Sequence, residues 1–300
     1  MTRDRFGREI DILRISVTQD CNMRCPYCHR EGECGAGKEM STDDIVRIAR
    51  ASSRLGIRRV KITGGEPLLR SDIIDIVRGV SSVPGIETVS MTTNGTMLEG
   101  MARELSDAGL TRINIGCDSF SSSVLEKTAD RIKPGIMAAK EAGFDAIKLN
   151  MVVLAGVNDS DIDDMMEFAK KTGTILQLIE LIRTKHNEEF FTKHFFSLSD
   201  IEKKLASDCD SFERRPVHGR KRYDAGGASV EVVRPHNHEF CANCRTIRVS
   251  SEGRIKPCLM RDDNLVDVDF SDDDDELLAR LVLAIDRREP FVKSTLEAIT

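Results

Sequence analysis

Short apolar runs alternate with amphipathic stretches from residue 11 to about residue 183. The apolar runs predict strands over 11–17, 58–63, 86–93, 111–117, 146–153 and 174–182. Between them the spacing changes to that of helices. Ser41 with Asp44 forms a capping-box pattern ahead of Ile45, Ile48, Ala49 and Leu55. Ser71 precedes Ile73, Ile74, Val77 and Val80, and Asp159 and Ser160 precede Ile162, Met165, Met166 and Ala169. Gly56, Gly109, Gly143 and Gly173 follow the helical stretches, where a left-handed residue closes a helix. Repeated strand–helix units predict a parallel sheet with right-handed crossovers, either open or wound into a barrel.

Within the strands, apolar residues take one face only. Arg14, Ser16 and Thr18 alternate with Leu13, Ile15 and Val17; Lys61 and Thr63 alternate with Val60 and Ile62. Asn114, Gly116 and Asp118 alternate with Ile113, Ile115 and Cys117, and Lys148 and Asn150 with Ile147 and Leu149. A strand covered by helices on both faces would be apolar throughout, and a filled barrel interior is mostly branched apolar side chains. The alternation therefore predicts a barrel whose interior is wide, wet and occupied by a charged ligand. An antiparallel sheet with one solvated face is the other reading, and the long helical connections disfavour it.

After residue 183 the alternation stops. Residues 186–196 read as a charged, Phe-rich loop and 198–208 as a helix. Residues 214–233 read as a hairpin or meander turning at Gly226-Gly227, and 271–286 as a helix capped by Ser271. The acidic run 272–276 falls in that helix's first turn, where negative charge is favoured.

Composition narrows the class. Lys and Arg total 44 against 50 Asp and Glu, a net charge of −6, and the chain has no Trp and two Tyr. A general nucleic-acid binder needs a basic face and stacking platforms, so none is expected. No uncharged apolar run reaches ~18 residues, which excludes a helical membrane span. The N-terminal stretch lacks a signal peptide's apolar core. A cytoplasmic location is expected.

Nine cysteines, six of them in two clusters, bring in the chemistry. In a reducing compartment such clusters serve as metal ligands or reactive thiols more often than as disulfides. Cys34, Cys117 and Cys209 stand apart and read as inert thiols. Cys21, Cys25 and Cys28 follow the first strand at its C-terminal end, where barrels place active sites. Three thiolates suit an iron–sulfur cluster with one iron left open; zinc would want a fourth ligand, for which His29 is adjacent.

The Cys21-x3-Cys25-x2-Cys28 loop, with Tyr27 before its last cysteine, resembles the radical S-adenosylmethionine (radical SAM) superfamily. Thr63-Gly64-Gly65-Glu66-Pro67 resembles that superfamily's GGE motif. The resemblance implies a 4Fe–4S cluster whose open iron chelates SAM. SAM is then cleaved to methionine and a 5′-deoxyadenosyl radical, which takes a hydrogen from substrate. Cys241, Cys244 and Cys258, with Arg248 four residues after the middle cysteine, are similar to the second cluster of one family within it. These are the GTP 3′,8-cyclases (the MoaA family) of molybdenum-cofactor biosynthesis, which are lyases. The likeness extends through Leu13-Arg14-Ile15-Ser16-Val17, Thr92-Thr93-Asn94-Gly95, Lys148-Leu149-Asn150, Leu178-Ile179-Glu180 and Lys256-Pro257-Cys258.

That resemblance implies an α/β fold. It is a partial (β/α)6 TIM-like radical SAM barrel over residues 1–215, closed by a C-terminal extension over 216–300 that carries a second 4Fe–4S cluster. It implies SAM contacts at Tyr27, Gly65, Glu66 and Gly116, and a GTP site at Arg14, Lys61, Thr92, Lys148, Thr246 and Arg248. It implies GTP as substrate, an electron donor such as ferredoxin or flavodoxin, and a downstream pterin-forming enzyme. The oligomeric state stays open, a homodimer included. The chain departs from the bacterial pattern at Lys61 (usually Arg), Gly116 (Ser), Gln177 (Arg), Ile182 (Met) and Thr246 (Arg), with Arg245 a neighbouring substitute. Its end, Leu296–Thr300, lacks the bacterial Gly-Gly tail, for which Arg287 and Arg288 are stand-ins by position. A two-cluster radical SAM enzyme modifying a peptide or another small molecule, or a non-enzymatic zinc or iron–sulfur interaction protein, are the alternative readings.

Overall fold

The computed structural model describes residues 2–33, 37–119, 128–184, 187–215 and 217–290. Cys34 and the Leu296–Thr300 end therefore lie outside the described residues. A small hairpin opens the chain, β1 (Thr2–Arg3) with β2 (Glu9–Ile10). Then come β3 (Ile12–Ser16), α1 (Thr42–Arg54), β4 (Arg59–Thr63), α2 (Ile73–Ser81), β5 (Thr88–Thr93), α3 (Leu98–Asp107), β6 (Arg112–Gly116), α4 (Ala129–Ala142), β7 (Ala146–Val153), α5 (Ile162–Thr172) and β8 (Ile175–Glu180). This is the strand–helix alternation that the periodicity predicts. The strands pair in parallel from β3 through β8 in chain order.

The remaining chain supplies α6 (Glu188–His194), α7 (Ser199–Asp208), β9 (Ser211–Arg214), β10 (Lys221–Ala225), β11 (Ala228–Val233), α8 (His238–Ala242), β12 (Thr246–Val249), β13 (Ile255–Lys256) and α9 (Asp274–Asp286). Two of these strands extend the barrel at both edges in the parallel sense: β11 beside β8 and β12 beside β3. Antiparallel β13 and the β10–β9 pair lie outermost.

One hydrophobic core joins the outward faces of these strands to their helices. Leu13, Ile15, Val60, Ile62, Met91, Ile113 and Leu149 meet Ile45 and Ile48 of α1, Ile76 and Val80 of α2, Leu105 of α3, Ile136 of α4 and Met165 of α5. Helix α9 packs on β13 and on α1, to which Arg47 ties it through Asp274 and two carbonyls. Apolar side chains take this one strand face, which leaves Arg14, Lys61, Asn114 and Lys148 on the other, as the alternation predicts.

Two local expectations fail. The 186–196 segment contains a helix, α6, rather than only loop. Phe190, Phe191 and Phe195 pack with Tyr27, Leu154 and Leu181, so tertiary contact outweighs the weak local signal. Helix α9 is capped by Asp273, which accepts from the N–H groups of Asp275 and Glu276, while Ser271 bonds back to Asp269. In a run of acids, side-chain geometry decides which one becomes the cap. The Ser41–Asp44 capping box and the left-handed Gly143 and Gly173 closures form as expected.

Candidate active site between two cysteine sets

Strand direction places the two cysteine sets at opposite ends of the barrel. Cys21, Cys25 and Cys28 follow β3 at the C-terminal ends of the parallel strands. Cys241 and Cys244 precede β12, which runs parallel to β3, and Cys258 follows the antiparallel β13. The second set therefore lies at the N-terminal ends, and the inner strand faces span the space between.

At the first end, the GGEP turn clamps the cysteine loop by close backbone approach. The Gly65 N–H donates to the Thr18 carbonyl at 2.8 Å and the Glu66 N–H to the Asp20 carbonyl at 2.7 Å. A Cβ on Gly64 would stand 2.5 Å from the Thr18 oxygen, and one on Gly65 2.2 Å from the Asp20 oxygen. Only glycine fits this approach. The Glu66 side chain is fully buried and braces the turn. One oxygen accepts from Thr93 Oγ1 at 2.7 Å and the Leu68 N–H at 3.1 Å, the other from the Asn94 N–H at 2.6 Å. Asn94 in turn donates to Asn22 inside the cysteine loop, at 2.7 Å.

Tyr27 packs on Leu154 and Leu181, and its hydroxyl bonds to Asp118. Burial, then the Asp118 and Cys25 charges, push its pKa well up, so it stays protonated. Gly116 ends β6 opposite Asn150, one strand over from Thr92 and Thr93.

At the second end, the Cys241, Cys244 and Cys258 thiols lie within electrostatic range of one another; burial and those neighbours push the Cys258 thiol up. Arg288 is buried, donating from Nη1 to Asp4 at 2.6 Å and from Nη2 to the Cys244 carbonyl at 3.0 Å and sulfur at 3.3 Å. Arg8 reaches the Cys241 carbonyl at 3.2 Å. Arg288 thus belongs to the second cysteine set; Arg287 donates to the Leu265 carbonyl.

Among the described residues each set offers three thiols and no ready fourth ligand, the donor pattern of a cluster with one open iron. His29, which a zinc reading requires, is turned into its own loop, its Nδ1 accepting from the Glu31 N–H at 3.1 Å. Among the described residues, no three His, Cys, Asp or Glu side chains converge closely enough to share a single metal ion. The cysteine sulfurs that hold a cubane bind separate corner irons and stand wider apart than the ligands of a lone ion.

Between the two sets the registry collects cations. Lys256, Arg248, Arg14 and Lys61 stand opposite one another on the adjacent strands β13, β12, β3 and β4. Lys61 faces Ser90 on β5, and two residues further along that strand a second row, Thr92, Asn114 and Lys148, crosses β5, β6 and β7. Arg220 enters from the chain before β10. Burial, then Arg14, Lys148 and Arg220, push the Lys61 ammonium well down. Lys148 is likewise held down, to about 8, by burial and despite Glu231. Glu231, buried on β11, accepts from Lys148 at 2.6 Å and Gln177 at 2.7 Å and lies 3.6 Å from Arg220; the Lys148 and Arg220 charges hold it at about 2. The side-chain oxygen of Thr92 and the Nε of Arg14 are buried without a hydrogen-bond partner among the described residues. Orphaned polar atoms on a cationic wall are what a bound polyanion would satisfy.

Thr246 lies on the same strand face as Arg248, whereas Arg245 does not join them. Arg245 pairs with Glu9 at 2.5 Å and Asp11 at 2.8 Å, so it cannot serve as the substitute suggested by adjacency. Sequence reasoning missed Glu231, whose signal is an acid inside the apolar run of β11. It also missed Glu31, Arg220 and the His218–Phe240 stack, with centroids 3.8 Å apart, none of which carries a periodic signal.

The fold and the cysteine loop define the class: residues 15–169 match the model of the radical SAM superfamily. Residues 174–293 match that of Molybdenum Cofactor Synthesis C. The chain is 40% identical to the "Probable GTP 3′,8-cyclase" of Methanothermobacter thermautotrophicus, over 96% of this chain and 98% of the relative. It is 44% identical to the protein of the same name from Thermococcus kodakarensis, over 98% and 100%. The chain belongs to this GTP 3′,8-cyclase family. Solved structures share the fold at lower identity. Streptococcus suis SuiB bound to S-adenosylmethionine has TM-score 0.63 and 17% identity, over 83% of this chain and 60% of that one. The anSMEcpe structure with AdoMet and a peptide has TM-score 0.61 and 15% identity, over 90% and 80%. Among the described residues, no helix is long and apolar enough to cross a membrane.

Proposed function

We propose that this chain converts GTP to (8S)-3′,8-cyclo-7,8-dihydroguanosine 5′-triphosphate, the first step of molybdenum-cofactor biosynthesis, using two 4Fe–4S clusters and SAM. The observation that carries the reading is the cationic wall between two three-cysteine sets, with Arg248, Arg14 and Lys61 in register on adjacent strands. When bound, the first cluster and SAM supply the hydrogen-abstracting radical. The chain's residues bind, orient and exclude water. Cys21, Cys25 and Cys28 hold the first cluster and Cys241, Cys244 and Cys258 the second.

Tyr27, the Gly65 backbone and Gly116 border the SAM position, with Glu66 fixing the turn through its carboxylate. Arg14, Lys61, Lys148 and Arg248 meet the triphosphate, and Thr92 offers its hydroxyl; Thr246 borders the same space. Phe190 and Phe191 of α6 pack beside Tyr27 at the first end. The barrel through residue 215 and the extension from residue 216 act as two parts of one site. A ferredoxin or flavodoxin as electron donor and a pterin-forming enzyme downstream complete the reading.

The proposal is open to a pH test. Below about 8 Lys148 is charged and attracts phosphate; above it the ammonium is lost. GTP affinity measured by anaerobic calorimetry should therefore fall as pH rises, by about tenfold between pH 7 and pH 9. A Lys148→Arg variant keeps its charge and should make that fall shallower, the Lys61 contribution remaining. A flat profile in the unmodified chain would place Lys148 away from the phosphates.

A further inference from the structure

Arg14 stands directly opposite Arg248 on β12 and Lys61 on β4. Like charges opposed across strands are destabilising unless an anion answers them. The anion in this structure is Glu31. One carboxylate oxygen pairs with Arg14 and the other lies 3.4 Å from Arg248 Nη1. These cations, with His29, hold the buried carboxylate down to about 2 against its desolvation.

Glu31 arrives there on a bent loop. It lies three residues beyond Cys28, and both Arg30 and Glu31 have left-handed backbone, φ 47° and 53°. Side-chain-bearing residues adopt that conformation only where the surroundings impose it. Local bonds hold the loop: the Gly32 N–H to the His29 carbonyl at 2.7 Å and the Glu33 N–H to the Arg30 carbonyl at 3.0 Å. Even so, one carboxylate does not saturate the wall. Arg14 Nε is buried and unpartnered, and among the described residues no carboxylate lies within ion-pair distance of Lys61.

We infer that Glu31 is a resident competitor for the substrate's phosphates. It fills the anion position between Arg14 and Arg248 until a polyphosphate displaces it, and its departure moves the loop that carries Cys28. The inference rests on reading the wall as the triphosphate site. Displacement favours a ligand of high charge, because a weak anion gains too little to evict a paired carboxylate. It also links nucleotide arrival to the first cysteine set, so Glu31 is a specificity-determining and positioning residue.

The test uses the reconstituted full chain, anaerobically, with inorganic tripolyphosphate and GTP as probes. Glu31→Gln keeps the side chain's size and removes its charge. It should bind tripolyphosphate about tenfold more tightly than the unmodified chain, while Arg14→Ala binds it more weakly. Weaker or unchanged binding by Glu31→Gln, with Arg14→Ala still impaired, overturns the competitor role and leaves the wall intact. If Arg14→Ala also binds unchanged, the reading of the wall itself fails. If Glu31→Gln does not retain iron, hydrogen exchange on the unmodified chain decides. Tripolyphosphate should speed exchange over residues 30–33 as their loop bonds break; slowed or unchanged exchange there overturns the proposal.

Discussion

Replacing Cys241, Cys244 and Cys258 together by alanine should leave a protein that still cleaves SAM but forms no cyclised nucleotide. The two cysteine sets lie at opposite ends of the parallel strands. The GGEP turn, Glu66 and Asn94 organise the first loop from β4 and β5, far along the chain from residue 241. Reconstituted iron should accordingly fall from about eight to about four per chain. 5′-Deoxyadenosine should still appear, uncoupled from product, while product falls below detection. Iron analysis with chromatography of both nucleosides reads the outcome. Iron near zero, or retained near eight, would contradict the separation of the two sets.

The second large effect concerns Arg14. It lies in the cation row with Arg248 on one side and Lys61 on the other, and its Nε has no partner among the described residues. A charge-assisted contact to phosphate contributes about 1.5–3 kcal/mol. Arg14→Ala should therefore weaken GTP binding by roughly ten- to a hundredfold, with both clusters assembled. Guanosine should bind far more weakly than GTP to the unmodified chain, and should lose little further in the variant. Calorimetry with both ligands separates the cases. Equal loss for guanosine and GTP would mean that Arg14 supports the fold rather than the phosphates.

The barrel was legible in the sequence because its signal is periodic. Arg14, Lys61, Asn114 and Lys148 could be assigned to an inner face because their neighbours Leu13, Ile62, Ile113 and Leu149 are all needed by the helices. Strand pairing then follows chain order, so the alternation also fixes which cations become neighbours. The closing strands were not legible in this way. Parallel addition of β11 to β8 and of β12 to β3 joins residues far apart in sequence, and a short strand such as Thr246–Val249 has no pattern of its own. Glu31 escaped for a related reason: a loop carboxylate acquires its partners only from the tertiary fold. Arg245 shows the converse error, since adjacency to Thr246 said nothing about its direction, and the strand pleat turns it to Glu9 and Asp11.

The central claim is that this barrel holds GTP with its ribose beside the SAM-derived radical. Anaerobic turnover of GTP deuterated at the ribose 3′ position tests it most directly. The account predicts deuterium in 5′-deoxyadenosine, accompanied by the cyclised triphosphate. Unlabelled 5′-deoxyadenosine, with SAM cleavage stimulated instead by a peptide, would contradict it.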